Sequence, residues 1–204
     1  MWRYHFMNKN TPLIPVIGLI VALSVVAFGW YNLNKIPENE FPEFKLAFNL
    51  HSTDGPVSLN DSNGKVGLLF FGYAHCPDVC PAAMVSFGRA LDLLSESERK
   101  KVSALFISLD PLRDTPKIMK KYVGFFHPDI TGLSGSVEEV EAAAKSFLIA
   151  YEKDEPNQLG NYSMNHSTYI FITRPDGALG NLIGHKTSPE EIVAVLRYWM
   201  KWAE

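Results

Sequence analysis

Both cysteines of the chain, Cys76 and Cys80, fall within residues 70–81, FFGYAHCPDVCP, where an apolar run of strand length gives way to residues at helical spacing. Two thiols at such a turn can exchange a disulfide, hold a soft metal or staple a loop. Pro81 has no N–H and suits the first position of a helix, which places Cys80 at or beside the N-cap, where free N–H groups and the helix dipole stabilise a thiolate. The same proline argues that Cys76 reaches the site from the preceding loop. Three residues, Pro77, Asp78 and Val79, separate the sulfurs, whereas thiol–disulfide enzymes of this kind usually have two. The wider loop still closes a disulfide, and it also lets two sulfurs converge on a third object. Soft thiolates select Cu(I) and imidazole suits copper, so the histidines come next.

There are six. His5, His51, His127 and His185 read as ordinary polar residues, and His75 merely adjoins Cys76. His166 differs in position. It stands just before an apolar strand at residues 168–172, on the loop that faces the first strand-to-helix turn in a thioredoxin-like sheet. Redox enzymes of that fold place a proline there, and this chain has Asn165-His166-Ser167. A closed structural zinc site wants four ligands, one more than Cys76, Cys80 and His166 supply.

The elements that must position these side chains follow from hydrophobic pattern and turn chemistry. Residues 66–71 and 102–109 are continuous apolar runs, as in strands covered on both faces, and Met84, Phe87, Leu91 and Leu94 between them keep helical spacing. This β-α-β order predicts parallel pairing through a right-handed crossover. Thr115-Pro116 opens a helix whose face carries Ile118, Tyr122 and Phe125. Capping boxes at residues 136–139 and 188–191 start two more helices, and residues 168–172 and 179–183 form a strand pair joined across Arg174-Pro175-Asp176-Gly177. An opening strand at residues 44–50 and the turn signals Asp54-Gly55 and Asn63-Gly64 predict a hairpin ahead of this core. Residues 54–62 and 153–165 read as loops or extensions. The expected fold class is α/β, thioredoxin-like, with an N-terminal hairpin extension and one preceding transmembrane helix.

That transmembrane helix is expected at residues 13–31, which carry no charge and as a helix would span roughly 28 Å, close to a bilayer core. Arg3 and Lys9 precede it and Glu38, Glu40 and Glu43 follow, so residues 1–12 are expected on the cytoplasmic side. Residues 32–43 read as a proline-broken tether, and residues 44–204 as one domain outside the membrane. No small-x-small cleavage site ends the apolar run. A net charge of −3 and the lack of a basic stripe with interleaved aromatics argue against nucleic acid as a partner.

Residues 71–81, FGYAHCPDVCP, residues 108–116, SLDPLRDTP, and His166-Ser167 together resemble the Sco/SenC family of membrane-anchored copper chaperones for cytochrome c oxidase assembly. The resemblance covers roughly residues 44–202. It implies a copper ion held by Cys76, Cys80 and His166, with Cys76 and Cys80 also able to form a redox disulfide. Asp78, Asp110, Asp114 and Asn165 are candidates for the shell around the ligands. Asp110 and Asp114 match acidic positions of the family, Asp114 also reads as a helix cap, and Asn165 stands where members commonly have aspartate. The implied role is a metallochaperone rather than an enzyme, taking copper from an upstream donor and passing it to the apo-protein of oxidase subunit II. A thiol–disulfide reductase that keeps the target's cysteines reduced is the alternative, and a structural disulfide in a binding module is a third reading. With no presequence ahead of the anchor, the expected location is a bacterial inner membrane, single pass, with the domain facing the periplasm or cell exterior.

Overall fold

The computed structural model describes residues 22–25, 27–28 and 46–202. The chain divides into two units, Met1–Glu43 and Phe44–Glu204, and the second carries the fold described below. The expected membrane span at residues 13–31 lies outside the described residues except for 22–25 and 27–28, which are helical. Its flanks, residues 1–12 and 32–43, also lie outside. Among the described residues no helix is long and apolar enough to cross a membrane.

A hairpin opens the domain, with β1 (Asn49–Ser52) and β2 (Gly55–Ser58) paired antiparallel around Thr53-Asp54. Its ladder begins at Asn49, later than the expected strand at residues 44–50. Leu46 and Phe48 are buried ahead of the ladder, and the Phe48 carbonyl accepts from the Leu59 N–H at 3.3 Å. After a single 3-10 turn, Leu59–Ser62, comes β3 (Val66–Gly72), buried at every residue. Helix α1 (Val79–Asp92) and the short α2 (Glu96–Arg99) lead to β4 (Val102–Ser108), which lies parallel to β3. Then follow α3 (Pro116–Gly124), β5 (Ile130–Leu133) and α4 (Val137–Ser146). A three-residue pair, β6 (Tyr151–Lys153) and β7 (Met164–His166), precedes β8 (Tyr169–Thr173), β9 (Leu179–Gly184) and α5 (Pro189–Trp202).

The central sheet has the order β5-β4-β3-β8-β9, with β3, β4 and β5 parallel and β8 antiparallel to β3. Alternation along β3 sends Leu68 and Phe70 to one face, against Met84 and Phe87 of α1, Met119 of α3 and Leu196 of α5. Leu69 and Phe71 go to the other, against Val140 and Ala143 of α4 and Phe48 and Leu50 of the opening hairpin. Both faces are therefore covered, which is why β3 and β4 read as unbroken apolar runs.

Three expectations about elements need correction. β5 was not expected, because four residues with a central glycine give little pattern; it forms through parallel pairing with β4, Ala104↔Ile130 to Ile107↔Leu133. Residues 153–165, expected as a loop or an extension, begin and end in the β6–β7 pair, which was not foreseen because its strands are too short and polar for alternation to show. Helix α3 buries Met119 and Val123, while Ile118 and Phe125 of the expected face are exposed. The reason is a close approach. A Cβ on Gly132 would lie 2.7 Å from the Met119 carbonyl oxygen, so the backbone of α3 rests on β5 at that point and turns Met119 inward.

Topology brings the chemistry to one end of the sheet. The loops after β3 and β4 leave from the carboxyl ends of parallel strands, where open α/β sheets place their sites. β8 runs antiparallel to β3, so the residues just before it lie at that same end. On the opposite face Phe147 fills the space between sheet, α4 and hairpin, with its ring 5.0 Å from Phe71, 5.3 Å from Phe171 and 6.4 Å from Phe48. Phe147→Ala is expected to lower the unfolding free energy by about 3–5 kcal/mol in urea denaturation. A loss under about 1 kcal/mol would contradict this packing.

Candidate metal centre

The loop after β3 turns at Tyr73, whose carbonyl accepts from the Cys76 N–H at 3.2 Å. Asp78 is the N-cap of α1, so Val79, Cys80 and Pro81 all lie in its first turn. The helix thus starts two residues before the expected point, because none of the first-turn N–H groups has an intrahelical partner and a proline is tolerated throughout it. Cys80 is fully buried in the core beneath the sheet end, and Cys76 comes over the helix start from the loop, half-buried. Both are free thiols. β3 must end in glycine for this to fit, since a Cβ on Gly72 would meet the Cys80 Sγ at 2.6 Å.

The two sulfurs are electrostatically opposite. Cys76 Sγ accepts from the Cys80 N–H at 3.4 Å. The hydrogen bond from the Cys80 thiol holds the Cys76 thiol down at about 5, aided by the Asp78 and Cys80 N–H groups and opposed by partial burial. Cys80 is pushed up, first by holding the proton of that same bond and then by burial. The pair therefore keeps one proton, on Cys80. The helix start was expected to stabilise a Cys80 thiolate and in fact stabilises Cys76, because the Cys80 side chain turns inward from the first turn while its N–H points out to the loop.

His166 ends β7, and pairing with Tyr151 of β6 sets its position. Its Nδ1 lies 2.8 Å from the Ser167 carbonyl oxygen and donates to it, and its Nε2 lies 3.8 Å from Cys80 Sγ. Phe70 and Tyr73 meet the ring edge to face at 6.2 and 6.1 Å. Among the described residues no three His, Cys, Asp or Glu side chains are so placed as to hold a metal ion together. Cys80 neighbours both other donors, and a closed set needs one of them to rotate. The donor types, two sulfurs and an imidazole beside an apolar wall, suit a soft metal such as Cu(I) and not Mg²⁺ or Ca²⁺.

The residues around the donors divide into two kinds. Asp114 is fully buried and accepts from the Ala74 N–H at 2.9 Å and the Ser108 hydroxyl at 2.8 Å, tying the cysteine loop to the end of β4. Burial raises its carboxyl, against those two hydrogen bonds. It is not the helix cap; Thr115 is, accepting from the Ile118 N–H. Exposed His75 stands 3.5 Å from the other Asp114 oxygen. Asp110, 3% exposed, pairs with Arg113 and accepts from the Tyr162 hydroxyl at 2.8 Å. Asp78 is exposed and its carboxylate makes no capping bond, so it acts on Cys76 through its N–H. Asn165 is exposed too and donates to Asp154 at 2.6 Å.

Tyr73, Ser108, Arg113, Tyr162 and the Ser167 carbonyl were not singled out from the sequence. Arg113 and Ser108 lie inside the 108–116 motif, which was the available signal. A lone tyrosine in a polar loop gave none. Of the remaining histidines, His51 faces Glu139 at 3.3 Å and His127 accepts from the Asp129 N–H at 3.0 Å, both remote from the thiols in the fold.

Solved structures with this arrangement of elements include copper-bound ScoI of Bradyrhizobium japonicum, 37% identical with a TM-score of 0.70, covering 75% of this chain and 97% of that one. Apo Sco1 of Thermus thermophilus is 36% identical with a TM-score of 0.70, covering 76% and 90%. Among sequences, the mitochondrial SCO1 homolog 1 of Arabidopsis thaliana is 36% identical over 151 residues, 71% of this chain and 45% of the relative. This chain spans about half the length of such relatives. The family model described as SCO1/SenC matches residues 37–201, nearly the whole domain with its dithiol loop, its acidic loop and His166, and on that match the chain belongs to the SCO1/SenC family.

Proposed function

We propose that this protein is a membrane-tethered copper chaperone that binds copper through Cys76, Cys80 and His166 and delivers it to the copper site of cytochrome c oxidase subunit II during assembly. The observation that carries the reading is the meeting of Cys80 Sγ and His166 Nε2 at 3.8 Å, with Cys76 Sγ accepting from the Cys80 N–H at 3.4 Å. Three Sco structures similar to this one were solved with copper bound, and the family is described as one of oxidase assembly proteins. Copper is cargo here. Cys76 would bind first, since it already carries the charge, and Cys80 would follow by giving up its proton as the metal arrives. A three-donor site leaves room for an incoming thiolate, so release needs ligand exchange and no turnover chemistry. Placement in an inner membrane, with residues 13–31 as anchor, residues 32–43 as tether and the domain on the periplasmic side, belongs to the same proposal, as does an upstream copper donor.

A second reading has its own support. A half-buried thiolate with a buried, protonated partner is the asymmetry of an attacking and a resolving thiol. In that role Cys76 would attack the disulfide of an oxidase copper site, and Cys80 would release the mixed disulfide by closing the Cys76–Cys80 bond. His166 has no part in that chemistry.

Titration of the reduced full-length chain, in detergent, with Cu(I) against a competing chelator separates the readings. Cys76→Ser and Cys80→Ser are expected to lose stoichiometric binding, and His166→Ala to weaken it by about 10-fold or more, at least the cost of losing a group that merely orients a ligand. Copper affinity unchanged in both Cys80→Ser and His166→Ala would overturn the chaperone reading. The thiol asymmetry gives a pH test. In metal-free protein, iodoacetamide should modify one site whose rate rises through a midpoint near 5 and is already on its plateau at neutral pH, and Cys76→Ser should abolish that phase. A midpoint at about 8.5, the ordinary cysteine value, would contradict the described hydrogen bonding.

A further inference from the structure

His166 is held by a ribbon that is weak on its own. The β6–β7 ladder has three residue pairs, Tyr151↔His166 to Lys153↔Met164. Between the strands the chain makes a polar excursion over residues 154–163, closed by the backbone bonds Asp154 N–H to Ser163 and Asn157 N–H to Asn161. An isolated two-stranded pair of this size is at best marginally stable in water. Its attachment to the rest of the domain therefore decides where His166 stands.

Met164 contributes by burial in the core and Tyr73 by bonding Met164 and Ser163, and the polar excursion itself is held by Arg113. Its guanidinium lies 3.5 Å over the ring of Tyr162, and Nη1 donates to the Tyr162 carbonyl at 3.0 Å. Nε pairs with one oxygen of Asp110, whose other oxygen accepts from the Tyr162 hydroxyl at 2.8 Å. One planar cation thus grips ring and backbone of the same residue while its counter-ion grips the hydroxyl, a task for which a lysine ammonium has neither plane nor fork. The clasp is footed on the sheet, because the Asp110 N–H donates to Ser108 Oγ at the end of β4 at 2.9 Å. Arg113 also lies 5.8 Å from the ring centre of Tyr73, which walls His166 at 6.1 Å. Tyr162 is four residues before His166 in sequence.

We propose that Arg113, acting with Asp110, is the positioning residue for His166: it clamps Tyr162 to the end of the sheet and so holds the imidazole over Cys80. The effect on metal rests on the copper reading above, whereas the effect on the ribbon does not. A merely structural ion pair would weaken the whole fold and leave the donors of the folded protein in place.

The reduced full-length chain, in detergent, is titrated with Cu(I) for Arg113→Met, His166→Ala and the two combined. Arg113→Met is expected to weaken Cu(I) binding by about 10-fold or more, and the combined variant to be no weaker than His166→Ala alone, since an absent donor cannot be misplaced. X-ray absorption of copper-loaded Arg113→Met should lose nitrogen scattering and keep sulfur. Binding equal to the parent, or a loss that adds in full to that of His166→Ala, overturns the proposal. Should Arg113→Met not fold, Asp110→Asn combined with Arg113→Met leaves no lone buried charge and is held to the same outcomes. If His166→Ala alone leaves Cu(I) binding unchanged, the copper reading has failed by itself and the clamp is judged without metal. Faster amide exchange at Asp154 and Ser167, whose N–H groups bond across the ribbon, in Arg113→Met, with β3 amides as in the parent, then supports the clamp, and unchanged exchange overturns it.

Discussion

The contact between Cys80 Sγ and the end of β3 joins the fold to its chemistry. β3 is buried on both faces, and at Gly72 it leaves no room even for a methyl group beside the sulfur. A thiol packed this tightly stays where the sheet puts it. Its proton is held first by the hydrogen bond to Cys76 and then by the apolar core, which does not solvate a thiolate. Everything else at the site adjusts to that fixed, neutral sulfur: Cys76 takes the negative charge from the loop side, and His166 brings its imidazole to within 3.8 Å of it.

This division has a consequence for any soft metal that enters. A site with two free thiolates would carry two negative charges beside an apolar wall, which burial disfavours. Here one charge is present in advance, and a metal bound to both sulfurs would have to displace the Cys80 proton. Affinity for such a metal would thereby be tied to pH and to a rotation of one side chain.

The strongest signals in the sequence belonged to long or chemically marked elements. Buried parallel strands appear as apolar runs, and the boxes at Ser136 and Ser188 appear in the structure as reciprocal bonds with Glu139 and Glu191. The dithiol and His166 are neighbours in the structure because β8 runs antiparallel to β3, which puts the loop before β8 opposite the first strand-to-helix turn, as expected of a thioredoxin-like sheet. Less legible was anything decided by approach between distant segments. β5 exists because β4 offers it an edge, the inward face of α3 is chosen by contact with Gly132, and the thiolate falls on Cys76 because of which way a first-turn side chain points. Asp114 looked like a cap because caps are local and braces are not; its partners, Ala74 and Ser108, come from the cysteine loop and the end of β4.

Those braces explain why so polar a corner is tolerated inside an α/β sheet. Asp110 and Asp114 are both nearly inaccessible, and a lone buried carboxylate would be costly. Each is instead spent on a loop that carries a donor: Asp114 fixes the cysteine loop through Ala74, and Asp110 fixes the β6–β7 ribbon through Arg113 and Tyr162. Ser108 links the two systems, donating to Asp114 and accepting from the Asp110 N–H. The sulfurs and the imidazole come from segments that touch only at the sheet end, and one serine at the last residue of β4 puts both segments in the same frame. A change at Ser108 would therefore disturb the cysteine loop and the His166 ribbon together, although it contacts none of the three donors.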